Sequence, residues 1–376
     1  MKKRVYVSLV LALILGLGTL VPALAQETIK VGGIGVLSGP YAVYGQAVQK
    51  GVDLYVEQLN AAGGINGKLV EVLWEDSQAD ATIGINAYNK LVDNDGVVAI
   101  IGPVLTGVTK AVAEYAADVG IPMITASATA YDITTGRPNV FRTCFLDPFQ
   151  AVQMARFAAD EGIKKVAVLY DNGDDYSTGL YNAFIAECKV LGLEVVATES
   201  AAFADVDFKS QLTNIQSAAP EAVFLPYYGA PAALILTQAN ELGFETKFLG
   251  ADGIADIVDS ISNKALLTSI TYSDHFSTQA DSKQAVDFVA AYKAKYNEDP
   301  TVSFSATGYD AALVLCEAFK QGSLEYADVV AAIKATNVEG VSGVITFDDH
   351  NDPIKSAFIL TFDAQGNKVF VKLQNP

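Results

Sequence analysis

The sequence is poor in the side chains that most often carry out catalysis or bind metal ions. It has two histidines and three cysteines among 376 residues. Neither His275 nor His350 comes at a predicted strand end with a nucleophile, and there is no G-x-S-x-G, P-loop or zinc-site signature. These absences argue against an enzyme, and neither a metal ion nor a cofactor is expected.

The three cysteines, Cys144, Cys188 and Cys316, are odd in number and far apart, unlike the paired cysteines of metal and thioredoxin-like sites. Cys188 and Cys316 each continue an apolar stripe at helical spacing, so we expect both to be small buried hydrophobes. The spacing does not decide whether any two of the three cysteines form a disulfide.

Positive charge is also scarce, with 25 lysines and arginines against 43 aspartates and glutamates, a formal net charge of −18. Nucleic acid is itself an anion and is therefore not expected as a partner. Beyond the N-terminal segment, no continuous apolar stretch reaches the length of a membrane span. The chain is long enough for two domains of ordinary size.

The N-terminal segment has the pattern of a secretory signal peptide. Lys2, Lys3 and Arg4 precede an apolar run over residues 5–17, and Ala23-Leu24-Ala25 is a small-x-small cleavage site. No cysteine follows this site to accept a lipid. We therefore expect residues 1–25 to be removed and the mature protein to be exported, soluble and free of a lipid anchor.

The most informative stretch is residues 97–129, where two strand-to-loop turns follow each other. Residues 97–101 form a β-branched run typical of a buried parallel strand, and a helix begins near Thr106. Residues 121–125 predict a second strand, which leads into the small residues 126–129, ending at Thr129. Free amides at a helix start beside two threonine hydroxyls can bind a carboxylate. The alternative is an ordinary helix cap and a tight turn.

Strands and amphipathic helices alternate along most of the remaining chain. A first set ends near residue 142, and a second set begins with a helix predicted over residues 149–161. Later come helices over 285–296 and 307–321, and strands over 343–347, 357–362 and 368–373 that are long enough to run between lobes. This order predicts an α/β fold with mostly parallel sheets covered by helices on both faces.

Seven motifs, in order and at sensible intervals, carry a family resemblance. They are Lys30-Val31 through Leu37-Ser38-Gly39-Pro40 with Tyr44-Gly45, Asn60-Ala61-Ala62-Gly63-Gly64-Ile65-Asn66-Gly67, Ile100-Ile101-Gly102-Pro103, Ile124-Thr125-Ala126-Ser127-Ala128-Thr129, Tyr227-Tyr228, Phe248-Leu249-Gly250-Ala251-Asp252-Gly253 and Tyr309-Asp310-Ala311-Ala312. With them the chain resembles, over residues 27–376, the periplasmic substrate-binding proteins of the leucine/isoleucine/valine-binding type. Those proteins are the soluble receptors of ABC importers.

The resemblance implies two doubly wound lobes joined by three hinge crossings, near residues 143–147, 272–276 and 347–357, with the ligand cleft between them. It places residues 26–144 and 276–350 in lobe 1, and residues 145–275 and 351–376 in lobe 2. It also implies a monomer in the periplasm that contacts an ABC permease of the membrane transiently.

The resemblance further implies a site for an amino acid zwitterion. Thr106 and Thr129 match the groups that hold the α-carboxylate, while the Ser127 carbonyl and Asp252 match those that hold the α-ammonium. The side-chain pocket is matched by Tyr44, Val104, Leu105, Tyr176, Tyr228 and Phe304. This set offers no charge and favours leucine, isoleucine or valine.

Two departures from the family pattern bear on the ligand. Leu105 stands where some relatives have a cysteine of a disulfide, and Asp252 is one methylene shorter than the glutamate of others. The alternatives are therefore the same fold with another small ligand, such as an aromatic amino acid, a short amide, urea or a carboxylate, or a ligand-sensing receptor domain. A ligand without a cationic nitrogen leaves Asp252 facing an unmatched site.

Overall fold

The computed structural model describes residues 27–202 and 204–375, and the predicted signal segment lies outside them. Within this part of the chain, the first sheet is entirely parallel with the strand order β2-β1-β3-β4-β5. Its strands are β1 (Thr28–Gly35), β2 (Leu69–Asp76), β3 (Ile100–Ile101), β4 (Met123–Thr125) and β5 (Val140–Arg142). They belong to the N-terminal part of the chain.

The second sheet has the strand order β14-β13-β10-β9-β8-β6-β7. The later strands are β6 (Lys165–Asp171), β7 (Glu194–Ala201), β8 (Ala222–Phe224), β9 (Lys247–Gly250), β10 (Ile270–Asp274), β11 (Val338–Gly340), β12 (Gly343–Ile345), β13 (Ala357–Phe362) and β14 (Lys368–Gln374). β13 and β14 are antiparallel at one edge, and the other members run parallel. Strand β6 is buried on both faces, which explains its nearly continuous apolar sequence.

Helices cover both faces of each sheet. In chain order the helices are α1 (Ala42–Ala61), α2 (Ala81–Asn89), α3 (Thr106–Val119), α4 (Asp147–Asp160), α5 (Asp175–Leu191), α6 (Lys209–Ser217), α7 (Gly229–Glu241), α8 (Ile257–Ser260), α9 (Lys283–Tyr296), α10 (Phe304–Phe319) and α11 (Tyr326–Lys334). The cores join α1, α2, α3, α10 and α11 to the first sheet and α4 to α8 to the second. Helix α9 packs on α1 and α10 and so belongs with the first sheet. We call these units the first lobe and the second lobe.

Local chemistry explains where several helices begin and end. The Asp174 carboxyl accepts a hydrogen bond from the Ser177 amide at the start of α5, and α5 ends at Gly192 with a φ of 72°. Ser282 caps α9 through the Ala285 amide, and Asn297 ends that helix in the left-handed conformation. These signals are local, so the sequence pattern could find these helices.

Helix α10 reaches the first lobe from far along the chain through a glycine contact with α1. An added Cβ on Gly51 would lie 1.9 Å from the Ser305 carbonyl oxygen, and one on Gly308 would lie 2.7 Å from that of Val48. The two helix backbones therefore touch, which only glycine permits. This contact helps to bring Phe304, the first residue of α10, to the cleft.

Some sequence predictions differ from the structure. Of the run 97–101, only Ile100–Ile101 forms a regular strand, although the Val98 amide and the Ala99 carbonyl also bond the backbone of β1. Strand β12 (Gly343–Ile345) does not run between the lobes, since it pairs with β11 in a small hairpin. Helix α11 was not among the predicted elements. Cys188 and Cys316 are buried, as predicted, and all three cysteines are free.

Buried ion pairs connect the third crossing between the lobes, near residues 347–357, to the first lobe. Arg142, at the end of β5, contacts the Asp352 carboxyl at 2.6 Å. Lys355 donates to the Thr143 carbonyl at 2.9 Å and lies 4.0 Å from the Asp310 carboxyl. Because these charges are hidden from water, each needs its partner, and the crossing is held to one path.

Across the described residues, we find no helix that has both the length and the apolar character needed to cross a membrane.

Candidate ligand-binding site

The site lies where strands of both sheets end at their carboxyl edges, the usual ligand position in open α/β sheets. In the first lobe, the loop after β3 leads to Thr106, the first residue of α3, which is 2% exposed. The Thr125 hydroxyl donates to the Pro103 carbonyl at 2.8 Å, and the Ser127 hydroxyl to the Val104 carbonyl at 2.9 Å. These bonds hold the loops after β3 and β4 side by side, as predicted from residues 97–129.

The start of α3 gives this part of the site a positive electrostatic character. Amide N–H groups in the first turn of a helix have no partner within the helix, and the helix dipole is positive there. Leu105 precedes the helix in an extended conformation and offers no side-chain cap. A carboxylate placed near Thr106 can therefore accept hydrogen bonds from the backbone and from the threonine hydroxyl.

Thr129 lies deeper than Thr106. Its side chain is fully buried, and its hydroxyl has no hydrogen-bond partner of good geometry among the described residues. The hydroxyl nevertheless lowers the pKa of the neighbouring Asp147 carboxyl. Burial and the charge of Asp252 act in the other direction and leave the pKa of Asp147 well above its usual value. Thr129 is thus a buried polar group with unused bonding capacity.

The second lobe supplies Asp252, two residues after β9. Its carboxyl is 1% exposed and is contacted by Gln150 Nε2 at 2.9 Å, by the Tyr176 hydroxyl at 2.7 Å and by His275 Nε2 at 2.9 Å. The Gly253 amide donates to the Tyr176 hydroxyl at 2.9 Å. Asp252 is therefore a buried acidic group held by donors from three separate segments.

A small cavity joins these groups. Its lining consists of Val104, Leu105, Thr106, Ser127, Tyr176, Tyr228, Asp252, Gly253 and Phe304. The structure thus brings eight of the ten predicted site residues around one space, although Tyr44 and Thr129 are not part of its lining. The cavity has a volume of about 10 Å³, which is the room of one water molecule.

Aromatic rings from both lobes form one wall of the site. Tyr176 and Tyr228 stack with their ring centres 5.0 Å apart. The ring of Tyr44 lies 5.5 Å from Tyr228 and 5.8 Å from Phe304. Burial raises the pKa of the phenols of Tyr44, Tyr176 and Tyr228 well above the usual value, so they stay uncharged. The wall is apolar with hydroxyls at its edges.

The Tyr44 hydroxyl connects the two lobes. It lies within hydrogen-bonding distance of the Asp256 carboxyl and of the Gly253 carbonyl, 2.9 Å away, and it accepts from the Gly229 amide at 3.0 Å. Burial raises the pKa of Asp256 to about 6, although the bond to Tyr44 opposes this change. The family resemblance implied a place for Tyr44 in the ligand pocket but not these contacts.

Sequence reasoning also missed Asp147, Gln150, Asp256 and His275. These side chains contact site residues but stand in no recognisable motif, and the partners that matter come from other segments: Gln150 and Asp252 are 102 residues apart. Of the second-lobe residues at the site, Tyr176, Tyr228 and Asp252 were expected from the family resemblance. Taken together, the site offers donors on one lobe, an acidic group on the other and apolar walls between them.

Comparisons with known proteins point to one family. A family model described as periplasmic binding protein matches residues 28–367. A leucine-, isoleucine-, valine-, threonine- and alanine-binding protein of Pseudomonas aeruginosa is 30% identical over 337 residues, 88% of each chain. The crystal structure of a leucine-binding protein, LivK, from Thermotoga maritima is 32% identical with a TM-score of 0.87, covering 93% of this chain and 99% of that one.

A second solved structure is similar to the same degree. It is the branched-chain amino acid transporter substrate-binding protein LivJ from Streptococcus pneumoniae in complex with isoleucine, and it has 32% identity and a TM-score of 0.87. The match covers 93% of this chain and 99% of that chain.

Proposed function

Because the chain belongs to the periplasmic binding protein family, we propose that it is the extracytoplasmic receptor of an ABC importer and binds a branched-chain amino acid between its lobes. The observation that carries the proposal is the pairing of Thr106 at a helix start with Asp252 across one small cavity. A zwitterion buried there finds a partner for each of its two charges. Without such partners, removing the charges from water would cost several kcal/mol.

We infer the roles of the polar residues from their positions. Thr106 and the first amides of α3 bind the α-carboxylate, and the unused hydroxyl of Thr129 completes that end of the site. The Ser127 carbonyl and the Asp252 carboxyl accept from the α-ammonium. Support comes from opposite electrostatic characters on the two lobes: a helix N-terminus on one and a buried carboxyl on the other.

The side chain of the ligand packs against the aliphatic and aromatic wall. Val104, Leu105, Tyr228 and Phe304 supply this surface, and none of them carries a charge. Moving a leucine, isoleucine or valine side chain there from water is worth roughly 1.5 to 3 kcal/mol. An acidic or basic side chain would instead lose its hydration without a partner.

Ligand entry requires the lobes to move. A cavity of about 10 Å³ is far smaller than an amino acid, so the two walls must part before the ligand enters. We place the lobe boundaries as residues 26–144 with 276–350 and residues 145–275 with 351–376, which the membership of strands in the two sheets supports. The receptor acts as a monomer in the periplasm and delivers its ligand to a membrane permease.

A panel of amino acids tests the proposal directly. Purified protein is heated with each common amino acid, and ligand binding to the folded state alone raises the melting temperature. Leucine, isoleucine or valine should give the largest rise, whereas aspartate, glutamate, lysine and arginine should give none. A large rise with a charged amino acid and none with aliphatic ones would overturn the assignment.

A second ligand class has one observation in its favour. The Asp252 carboxyl already has three hydrogen-bond donors from the protein. A ligand without an ammonium therefore does not leave this carboxyl without partners. The aromatic wall could then hold an uncharged ring, and the α3 N-terminus a carboxylate. Titrating leucine against 4-methylpentanoate and benzoate separates the two classes, because only an amino acid site prefers leucine strongly over 4-methylpentanoate.

A further inference from the structure

Beneath the cavity, a layer of buried polar side chains surrounds Asp252. Gln150 comes from α4 and His275 follows β10 directly, and both are completely buried. The family resemblance assigned no role to either residue. Polar groups this far from water must have partners, so their contacts indicate what they hold in place.

Gln150 uses both sides of its amide. Its Nε2 donates to Asp252 Oδ1 at 2.9 Å and to Asp147 Oδ1 at 3.1 Å. Its Oε1 accepts from the Asp252 amide at 3.2 Å and from the Ser273 hydroxyl at 3.1 Å. Because all four bonding directions are used, the amide has one orientation. It forms hydrogen bonds with both the backbone and the side chain of Asp252.

His275 holds the other carboxyl oxygen of Asp252. Its Nε2 lies 2.9 Å from Asp252 Oδ2, and the Phe145 amide donates to its Nδ1 at 3.4 Å. An N–H donor at Nδ1 places the ring proton on Nε2, so the imidazole donates to Asp252. The ring also packs on Phe145 at 3.7 Å between centres, which fixes its plane.

These contacts leave Asp252 little acceptor capacity. A carboxylate has about four acceptor directions, of which Gln150 and Tyr176 take those on Oδ1 and His275 takes one on Oδ2. We propose that Gln150 and His275 are positioning residues that hold the Asp252 carboxyl so that its remaining acceptor direction on Oδ2 serves the ammonium of the ligand. This inference rests on the proposed function and assigns the two residues to its ammonium end.

The neighbouring Asp147 explains why the carboxyl needs this support. Two buried acids linked through one amide repel each other when both are charged. Burial and the neighbouring Asp252 raise the pKa of Asp147 well above its usual value, which is the sign of this repulsion. Gln150 separates the two groups and directs one N–H to each of them.

Calorimetric titration of two ligands tests the proposal. Leucine carries the ammonium, and 4-methylpentanoate has the same carboxylate and side chain without it. Gln150→Met and His275→Phe keep much of the side-chain volume but remove the donors, and each should weaken leucine binding roughly 10- to 100-fold. Affinity for 4-methylpentanoate should change little, since it does not use Asp252.

A double-mutant cycle shows whether the effect passes through Asp252. In an Asp252→Asn background, adding Gln150→Met or His275→Phe should cost leucine binding little more. His275→Gln, which restores a donor, should recover part of the affinity lost in His275→Phe. Gln153→Met is the matched control, because Gln153 is a buried glutamine of the same helix whose amide contacts the Asn375 carbonyl instead.

The outcomes separate the two proposals. If the wild-type protein fails to bind leucine, the proposed function is wrong. If it binds leucine and the variants bind it equally well, or lose leucine and 4-methylpentanoate in equal measure, the positioning role is wrong. Should Gln150→Met not fold, Ser273→Ala removes only the hydroxyl that supports Gln150 Oε1. A loss confined to leucine is expected there too, and unchanged binding would contradict the role of Gln150.

Discussion

At the scale of single residues, Asp252 contributes both to ligand binding and to the stability of the fold. Its carboxyl is proposed to bind the ammonium of the ligand. In the folded protein it also accepts hydrogen bonds from Gln150, Tyr176 and His275. Truncating it therefore affects stability as well as binding, because buried donors without an acceptor are costly. Sequence reasoning alone suggested an effect on binding only.

Asp252→Ala should weaken leucine binding by about 2 kcal/mol or more and lower the free energy of unfolding by about 1 to 3 kcal/mol. Calorimetry and urea denaturation measure the two effects separately. Asp252→Asn keeps the shape and should lose binding with a smaller loss of stability. Tight leucine binding by both variants would remove Asp252 from the site.

Thr129 should behave in the opposite way with respect to stability. Its buried hydroxyl lacks a partner of good geometry, although it lowers the pKa of the neighbouring Asp147 carboxyl, so Thr129→Val removes a poorly bonded polar group. We expect the melting temperature to stay the same or rise, while leucine binding weakens by about 1 to 3 kcal/mol. Thr106→Val, at the N-terminus of α3, removes the other threonine hydroxyl assigned to the carboxylate and should weaken leucine binding similarly. A variant that binds leucine as well as wild type would show that the hydroxyl does not reach the carboxylate.

The carboxyl of Asp256 gives a prediction about pH. Its folded pKa of about 6 lies above the usual value because of burial, so the carboxyl favours the folded state at low pH. That contribution is complete below about pH 4 and is lost as the pH rises through 6. Asp256→Asn cannot ionise and should therefore gain stability over wild type between pH 4.5 and 7.5, by about 1 to 3 kcal/mol.

Thermal denaturation at the two pH values measures this gain. The exposed Asp281→Asn serves as the control. An equal difference between Asp256→Asn and wild type at both pH values would contradict the prediction.

At the scale of elements, the contact between α1 and α10 positions Phe304. Gly51→Ala places a methyl group against the Ser305 carbonyl, so the helices must separate. Overpacking of this kind costs about 1 to 3 kcal/mol, and we expect a lower melting temperature. Gly107→Ala is the control for stability, since an added Cβ there meets no atom within 4 Å. Equal stability of the two variants would show that the helices are not in close contact.

How much of these elements the sequence predicts depends on the range of the interactions. Strand β6 and helix α5 were predictable from apolar periodicity and from local caps such as Asp174. The pairing of β12 with β11 depends on tertiary contacts, and a short alternating run does not reveal its partner. In the site, the Thr106 and Asp252 turns have sequence signals. Gln150 has none, because its partners are brought to it only by the fold.

At the scale of the whole molecule, contacts between the lobes favour the closed form, whereas ligand entry requires the open form. Lys110 of α3 contacts Asp175 of α5 at 3.0 Å, but Lys110 is only half-buried and Asp175 is exposed, so the ion pair contributes little. Tyr44 is buried and contacts Gly229, Gly253 and Asp256 of the opposite lobe. A ligand that touches both lobes favours the closed form by the difference in its contacts, and Tyr44 favours it independently of the ligand.

Tyr44→Phe should therefore weaken binding without removing a group assigned to either charge of the ligand. The variant keeps the ring beside Tyr228 and Phe304 but loses the hydroxyl that joins the lobes, which shifts the equilibrium towards the open form. We expect leucine affinity to fall roughly ten-fold, about 1.4 kcal/mol. Small-angle scattering should show compaction of both proteins with leucine, and the variant should need more ligand to reach the same radius of gyration.

Tyr296→Phe is the matched control for this experiment, because the Tyr296 hydroxyl donates to the Lys50 carbonyl within the first lobe. Its loss should leave leucine affinity and the scattering titration unchanged. If Tyr44→Phe behaves like this control, the hydroxyl does not hold the lobes together. If neither protein becomes more compact at saturating leucine, closure itself is wrong, since a site divided between two lobes binds tightly only when both contact the ligand.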